Sequence, residues 1–288
     1  MFSQRLAEAA ERIQSHFDDV LGAFEPVPVV QAMGYATQGG KRLRGFLVLE
    51  SARLHGIPAE RAIWSATAIE ALHAYSLVHD DLPCMDDDDL RRGRPTVHIK
   101  WDEGVAVLAG DALQSLAFEL VSRPENGAAD RRAELAISLA RASGAQGMVL
   151  GQALDIAAEA ATAPLTLDQI TGLQAGKTGA LIEWSACAGA RLAGADPDAL
   201  RRYAGALGLA FQIADDILDV EGDAAKAGKR LQKDAGANKA TFVSLLGLDG
   251  AKARAAELVA QACAALDPYG TEADTLRAAA RFVIARDS

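Results

Sequence analysis

Residues 66–81 read ATAIEALHAYSLVHDD, an apolar run that passes directly into two aspartates. Ala and Leu are strong helix formers and β-branched residues are few here, so the run predicts a helix. It is apolar on almost every side, and such helices belong inside a larger bundle. Pro83 disfavours helical geometry at Leu82, which places the helix end near Asp81. The segment predicts an all-α protein with acidic groups at the end of a core helix.

The same helical pattern fills most of the 288-residue chain. One face of a first helix is marked by Leu6, Ile13, Phe17 and Leu21. No convincing strand and no low-complexity linker interrupt the pattern, so we expect one all-α domain over residues 1–288. A loop rich in Gly, Lys and Asp is expected at 221–239. Helices are expected at about 41–55, 59–81, 103–122, 129–143, 145–159, 166–193, 196–220, 249–266 and on to about 286.

Composition and charge narrow the classes of function. The formal net charge of −10 argues against a protein whose main task is gripping nucleic acid, because such proteins normally show a basic face. The three cysteines, at 84, 187 and 263, form no CxxC pair, which fits a reducing cytoplasm. The first residues begin a charged amphipathic pattern, and no stretch of roughly 18 uncharged apolar residues occurs. We expect a cytoplasmic protein with no nucleic-acid partner and no stable membrane insertion.

The first acidic cluster follows the apolar run without a polar transition. Asp80 and Asp81 end the expected core helix, and Asp86 begins a run of four aspartates. Charge runs are usually solvated, and this interpretation accounts well for residues 87–89. It accounts poorly for Asp80 and Asp81, because a solvated loop has no reason to follow a buried helix so directly.

The second acidic cluster, Asp215-Asp216-Ile217-Leu218-Asp219, lies inside the apolar segment 207–220. At about 100° per residue, Asp215 and Asp219 share a helix face, Asp216 lies beside them and Gln212 lies one turn earlier. Like charges in a poorly solvated site raise one another's pKa, so cationic partners are needed. Buried lysine or arginine partners are one interpretation. Two such clusters without a His/Cys set favour the other, which is Mg²⁺ together with phosphate oxygens.

The order and spacing of several motifs resemble those of the trans-isoprenyl diphosphate synthase, or polyprenyl synthetase, family, through nearly the whole chain. The motifs are Asp80-Asp81-x4-Asp86 followed by Arg91-Arg92-Gly93, Asp215-Asp216-x2-Asp219, Gly40-Lys41-Arg42-Leu43-Arg44, Gly151-Gln152-x2-Asp155, Lys177-Thr178 and Phe211-Gln212.

The resemblance implies a fold and an activity. The fold would be the all-α isoprenoid synthase fold, a single-domain helical bundle around a deep central cavity. The activity would be Mg²⁺-dependent, head-to-tail condensation of isopentenyl diphosphate with dimethylallyl or geranyl diphosphate. A homodimer is implied, joined through the helix that contains Gly110-Asp111-Ala112-Leu113. Three Mg²⁺ ions per active site are implied, with Mn²⁺ as a substitute.

The resemblance also assigns roles to residues. Metal ligands would be Asp80, Asp86 and Asp215, with Asp81, Asp216 and Asp219 in support. The isopentenyl diphosphate site would contain Lys41, Arg44, His73 and Arg92, and the allylic diphosphate site Arg91, Lys177, Lys229 and Lys239. The catalytic set would be Asp80, Asp81, Asp86, Lys177, Thr178, Gln212 and Asp215.

The residues alone also allow other interpretations of the basic motifs. Basic residues such as those at 41–44 more often lie in solvent at the start of a helix. A histidine in an apolar helix, such as His73, is more often a core residue whose hydrogen bonds are made within the protein. Gly176-Lys177-Thr178 suggests a P-loop, but Gly172 is one residue too close and no strand precedes it, so that interpretation fails.

Product length would depend on what lies beneath Asp80. Tyr75 lies five residues earlier, roughly 7.5 Å along a helix, while Ser76 lies more directly below. By resemblance, Tyr75 together with Pro83-Cys84 is similar to bacterial farnesyl diphosphate synthases, which make a C15 product. Relatives that make the C20 product usually carry a small residue at this position. A C10 or C20 product, and ordinary core packing of Tyr75, stay open.

Three other classes of protein are considered. Class I terpene cyclases share the fold but usually replace the second DDxxD and lack the lysine and arginine after the glycines. Silent subunits of heteromeric synthases tend to lose aspartates from one motif, and an acidic metal-buffering protein needs no ordered cations. The motifs of this chain argue against all three. Two departures from bacterial relatives remain: Gly45, where many carry proline, and Asn238, where many carry glycine.

Overall fold

The structure is a computed structural model that describes residues 2–159, 164–221 and 240–285. These residues are helical almost throughout, which confirms the predicted all-α class. The helices are α1 (Phe2–Gly22), α2 (Pro28–Ala36), α3 (Leu43–Leu54), α4 (Ala59–Asp80), α5 (Val97–Lys100), α6 (Glu103–Ser122), α7 (Ala129–Ser143), α8 (Met148–Glu159), α9 (Leu167–Gln174), α10 (Ala180–Ala193), α11 (Asp198–Glu221), α12 (Phe242–Ala265) and α13 (Asp274–Ala285), with 3-10 turns at Pro124–Asn126 and Asp267–Ala273.

The core helix that contains residues 66–81 ends where the sequence predicted. α4 stops at Asp80 with Asp81 as its C-cap. In α1, the predicted apolar face is buried at Ile13, Phe17 and Leu21, and Ala9 joins it. Most of the expected loop at 221–239 lies outside the described residues, since α11 extends to Glu221.

Several local features were not predicted. α2 begins with Pro28 at its first turn, a favourable position because no intrahelical N–H bond is lost there. A short antiparallel hairpin pairs β1 (Leu90–Arg91) with β2 (Arg94–Pro95), so the expectation of no strand is wrong at this point. The helix expected at 166–193 is divided by a π-helical turn at Ala175–Gly179.

The chain divides into two compact units, and the first contains Met1–Ala136 and Ala188–Ala195. Its central pair is α4 and α6, with α3 on α4. The two helices run antiparallel. Near the start of α4, Ser65 Oγ donates to Asn126 Oδ1 (2.7 Å), beyond the end of α6, whereas at the end of α4 His79 Nε2 lies 3.0 Å from the Val107 carbonyl oxygen.

The second unit contains Ile137–Cys187 and Asp196–Ser288. α11 packs along α12 and also contacts the π-helical turn. The Tyr203 hydroxyl donates to the Leu276 carbonyl (2.9 Å), and Trp184 Nε1 donates to Ser138 Oγ (3.0 Å). Both aromatic side chains are fully buried. A single domain over residues 1–288 stays a prediction.

One helix in the described part of the chain, α6, is long and apolar enough to cross a membrane by length and composition alone. Core helices pass the same test, and 44% of its apolar window is buried. α6 thus offers weak evidence for a membrane span, and its extensive packing against α4 is that of a core helix.

Candidate active site

The loop after α4 folds back over the end of the helix. The amide of Asp86 donates to the Asp80 carbonyl (2.8 Å), and the amide of Asp88 donates to the Asp81 carbonyl (3.2 Å). These bonds satisfy carbonyl groups that a helix end leaves without partners. They also hold the backbones of Asp80 and Asp86 together, although five residues separate them. Asp80 is half-buried and Asp86 is exposed.

Asp81 differs from its neighbours because it is buried and paired with Arg91. Arg91 Nε and Nη2 lie 2.7 and 2.6 Å from Asp81 Oδ1. Burial raises the pKa of the Asp81 carboxyl, and the guanidinium of Arg91 opposes that rise. The ion-pair interpretation of the acidic cluster therefore holds at Asp81. The other motif aspartates, half-buried Asp80 and exposed Asp86, are more accessible than Asp81.

The hairpin formed by β1 and β2 also positions Arg92, which follows Arg91 in the chain. Arg92 and Gly93 form its two-residue turn, with φ of 53° and 73°, the left-handed geometry that right-twisted hairpins require. Arg92 Nη1 donates to the Gln38 carbonyl (3.2 Å). A Cβ at Gly40 would lie 2.7 Å from the Arg92 guanidinium, so only glycine lets this arginine lie over the loop before Lys41.

Arg42 is a structural residue of the same loop. Its guanidinium is 4% exposed and lies 3.6 Å from Glu70 Oε2, which is equally buried. It also donates to Gln14 Oε1 (2.9 Å) and to the Thr37 carbonyl. Arg42 thereby ties the start of α3 to α1 and α4, while exposed Lys41 and half-buried Arg44 flank it.

Glu70 gives a physical reason for glycine at position 45. Glu70 Oε1 accepts the Gly45 amide (2.8 Å). A Cβ at this position would lie 2.5 Å from Ile13 Cδ1 and 3.1 Å from both the Ala66 carbonyl oxygen and Glu70 Cγ. A proline would lose the amide and meet these atoms, so this chain pairs glycine with a buried glutamate.

His73 stands in a positive environment on α4. Its pKa is lowered well below the ordinary value, first by loss of hydration and then by the charges of Arg44, Arg92, Arg91 and Arg42. A neutral imidazole near several arginines can donate or accept a hydrogen bond without adding charge. The structure therefore brings His73, Arg44 and Arg92, three of the residues predicted for the isopentenyl diphosphate site, into one electrostatic neighbourhood.

The two candidate chain-length residues point to different partners. Tyr75 is 6% exposed, and its ring meets that of His79 edge-on, with centroids 5.5 Å apart. Burial raises the pKa of its hydroxyl. Ser76 Oγ donates to the His73 carbonyl of its own helix (2.9 Å). Tyr75 is therefore the residue that fills space between α4 and its neighbours.

The second acidic cluster lies on α11 in the second unit. Asp215 and Asp219 are half-buried, while Asp216 is 7% exposed, as the predicted helix phase requires. Asp216 Oδ1 accepts Gln212 Nε2 (3.2 Å), and Asp216 Oδ2 accepts the Phe242 amide at the start of α12 (2.8 Å). Both carboxylate oxygens of Asp216 therefore accept hydrogen bonds from protein groups, and Asp216 is more buried than Asp215 and Asp219, which makes these two the more accessible candidates for a cation.

The π-helical turn positions Lys177 and Thr178 in the same unit. Lys177 Nζ lies 2.6 Å from Asp155 Oδ2, and Thr178 Oγ1 donates to Gln212 Oε1 (3.4 Å). α8 comes so close that a Cβ at Gly151 would lie 2.1 Å from the Lys177 amide nitrogen. π-helical turns often mark functional sites, and here one aims the predicted lysine and threonine.

The carboxylates are arranged for a site in which Mg²⁺ takes few protein ligands, and not for a cage in which the protein supplies every ligand. In the described part of the chain, no three His, Cys, Asp or Glu side chains converge as a ready metal cluster. Mg²⁺ commonly takes only one or two carboxylates and completes its octahedron with water and phosphate oxygens. Asp80 with Asp86, and Asp215 with Asp219, fit that mode of binding.

Two predicted residues lie outside the described part of the chain, and three residues that contact the site were not predicted. Lys229 and Lys239 lie outside the described residues. Glu70, Gln38 and Asp155 were not predicted as site residues, although each holds a predicted cation or its loop. Glu70 carried a signal, because a lone acidic residue in an apolar helix needs a buried partner.

Comparison with known proteins shows the family of this chain. The family model for polyprenyl synthetase matches residues 27–274. The chain belongs to the polyprenyl synthetase family. Farnesyl diphosphate synthase of Haemophilus influenzae is 43% identical over 297 residues, covering 100% of this chain and 99% of that protein. Farnesyl diphosphate synthase of Escherichia coli is 46% identical, covering 92% and 91%.

A solved structure within the family extends the likeness to the fold. The apo crystal structure of an FPP/GFPP synthase from Zymomonas mobilis matches with a TM-score of 0.90 at 46% identity, covering 98% of each chain. The chain therefore has the all-α isoprenoid synthase fold predicted from its motifs.

Proposed function

We propose that this protein is a farnesyl diphosphate synthase. It would condense isopentenyl diphosphate with dimethylallyl diphosphate and then with geranyl diphosphate, releasing pyrophosphate at each step. The observation that carries the proposal is that each carboxylate set shares an element with a predicted substrate-site contact: Asp80 and Asp86 flank Asp81, which binds Arg91 of the hairpin, and Asp215 and Asp219 lie on the helix whose Gln212 accepts a hydrogen bond from Thr178. Full-length relatives named farnesyl diphosphate synthase support it.

The chemistry needs charge stabilisation rather than a nucleophilic side chain. The carbon–oxygen bond of the allylic diphosphate breaks, pyrophosphate takes the electron pair, and an allylic cation remains. The double bond of isopentenyl diphosphate forms the new carbon–carbon bond, and loss of a proton to pyrophosphate completes the step. When bound, Mg²⁺ would neutralise the charge that develops on the leaving group.

The protein's own residues would bind, orient and exclude water. Asp80, Asp86 and Asp215 would hold three Mg²⁺ ions per active site, and Mn²⁺ could replace Mg²⁺. Lys41, Arg44, His73 and Arg92 would bind isopentenyl diphosphate, while Arg91 and Lys177 would face the allylic diphosphate. Arg91 is fixed by Asp81 and Lys177 by Asp155, so both guanidinium and ammonium groups are oriented before substrate arrives.

Tyr75 supports the C15 product. A buried phenol five residues before Asp80 limits the space that a growing prenyl chain can use. Ser76 makes its hydrogen bond within α4 and adds little bulk. Tyr75→Ser would therefore let elongation pass C15 and yield C20 product.

The decisive assay uses radiolabelled isopentenyl diphosphate with C5, C10 or C15 allylic diphosphates, with Mg²⁺ or with excess EDTA. We expect C15 product from the C5 and C10 substrates, none with EDTA, and C20 product from Tyr75→Ser. Failure to elongate any allylic diphosphate overturns the enzymatic proposal. Elongation with an unchanged product in Tyr75→Ser overturns only the role of Tyr75.

A further inference from the structure

The interface between α4 and α6 contains polar side chains that the reaction does not use. His79 lies against α6, with Nε2 at 3.0 Å from the Val107 carbonyl oxygen. It fits there because position 110 has no side chain: a Cβ on Gly110 would lie 2.0 Å from His79 Nε2. The edge of the His79 ring in turn meets Tyr75 one turn earlier. This local register fixes which residue of α6 lies opposite Tyr75.

Antiparallel helix geometry places Gln114 opposite Tyr75. If His79 faces Gly110, then the residue four positions earlier on α4 faces the residue four positions later on α6. Those residues are Tyr75 and Gln114, and a hydrogen bond joins the Gln114 side chain to the Tyr75 hydroxyl. Gln114 is half-buried, so the bond is partly shielded from water. The phenol is thus held by His79 on one side and by Gln114 at its polar end.

A held ring blocks a growing chain better than a mobile one. A tyrosine side chain without a partner for its hydroxyl can change rotamer and vacate the space below Asp80. Anchoring the hydroxyl to a second helix removes that freedom, because leaving the position would break a partly buried hydrogen bond. We propose that Gln114 is a second determinant of product length, a positioning residue that holds Tyr75 in place across the α4–α6 interface.

This inference rests on the proposed function, and a double-mutant cycle on product length tests it. The enzyme is assayed with geranyl diphosphate and excess isopentenyl diphosphate, and the ratio of C20 to C15 product is measured. Gln114→Met keeps side-chain length but removes the hydrogen bond. We expect it to raise the ratio roughly five-fold, the factor that corresponds to one net hydrogen bond. Tyr75→Phe removes the other partner and should raise the ratio equally.

The double variant Gln114→Met/Tyr75→Phe decides whether Gln114 acts through Tyr75. We expect no further rise, because both substitutions remove one bond. A matched control is Tyr203→Phe, which loses a buried hydroxyl bond to the Leu276 carbonyl in the other unit and should leave the ratio unchanged. A wild-type ratio in Gln114→Met, or effects that multiply in the double variant, overturn the proposal. If the wild-type enzyme elongates nothing, the proposed function fails at that first control, and the inference fails with it.

Discussion

At the scale of single residues, the most informative contact joins Gly45 to Glu70. The amide of Gly45 donates to a carboxylate that also faces buried Arg42. Sequence comparison showed only an unusual glycine, and its reason lies 25 residues away on α4. Local patterns do not reveal such pairs, because a buried carboxylate is explained by its partners in space rather than by its neighbours in the chain.

Gly45→Pro should destabilise the protein. Proline is tolerated in the first turn of a helix, so α3 itself loses little. The cost comes from Glu70, which loses its amide donor, and from contact with Ile13, and we expect about 1–3 kcal/mol less free energy of unfolding. Chemical denaturation measures it. The matched control is Gly34→Ala in α2, where nothing lies within 4 Å of the added Cβ and stability should hold or rise. Equal stability of Gly45→Pro and wild type would contradict the account.

His16 predicts a dependence of stability on pH. Burial lowers its pKa, and the charges of Asp19 and Glu125 only partly oppose this. The unfolded chain, with a histidine pKa of about 6.5, binds the proton more readily than the folded protein. Stability from the neutral ring is therefore complete above about pH 6.5 and is lost as pH falls toward the folded-state pKa, by at most about 1.4 kcal/mol per pH unit.

His16→Gln should lose less stability than the wild type between pH 7.5 and 5.5. His73, whose pKa is also lowered, adds the same trend to both proteins and cancels in the comparison. Urea denaturation at several pH values gives the two slopes. Identical slopes would show that His16 does not titrate differently in the folded state.

At the scale of secondary-structure elements, the π-helical turn at Ala175–Gly179 is the feature that positions chemistry. Residues 166–193 have a continuous helical pattern, and nothing local in it predicts a wider turn. The turn is explained by its neighbours, because Gly151 on α8 and Gly208 on α11 let their helices approach its backbone closely. By contrast, the end of α4 was predicted correctly, since Pro83 is a local signal.

Gly151→Ala should disturb Lys177 and Thr178 without touching either side chain. Its Cβ would lie 2.1 Å from the Lys177 amide nitrogen and 2.6 Å from its Cα, so the turn must shift. Because a displacement of about 1 Å at a reacting group costs on the order of 100-fold, we expect kcat to fall by about that factor. Gly172→Ala on neighbouring α9, with nothing within 4 Å of the new Cβ, should keep wild-type kcat. Similar kcat values for the two variants would refute the role of the turn.

At the scale of the whole molecule, the exposed side of α6 suggests self-association. Val107 and Leu108 are 41% and 57% exposed on a largely apolar helix that packs on α4. We propose that a second copy of the chain covers this side, as the family resemblance implied. The sequence predicted the apolar helix α6, but it did not show which face of that helix packs within the chain and which face is exposed.

Leu108→Glu should weaken that association. A carboxylate placed in an apolar interface loses hydration without a partner, so the monomer fraction should rise. Sedimentation velocity at several concentrations measures it, with Leu90→Glu, a similarly exposed leucine in the hairpin, as the control. A wild-type protein that sediments as a monomer at every concentration would contradict the proposal.

The sequence singled out the two aspartate sets because one directly follows an apolar helical segment and the other lies within one, and that signal is local and repeated. Only the family resemblance separated proposed ligands from supporting residues, because the aspartate pattern alone does not show which members are buried. Asp81, which is paired with Arg91, and Asp216, which accepts hydrogen bonds from Gln212 and Phe242, are buried, whereas Asp80 and Asp215 are half-buried and Asp86 is exposed.

The most direct test of prenyl transfer at these carboxylates compares two adjacent, exposed aspartates, Asp86 and Asp87. Asp87 has a φ of 51°, a conformation that asparagine also adopts readily, so Asp87→Asn is a gentle change. In an assay of farnesyl diphosphate formation from geranyl and isopentenyl diphosphates at saturating Mg²⁺, Asp86→Asn should lose at least about 100-fold in kcat, as loss of one transition-state contact does. Asp87→Asn should retain wild-type kcat. Equal kcat in the two variants would contradict the assignment of Asp86 as a metal ligand in this reaction.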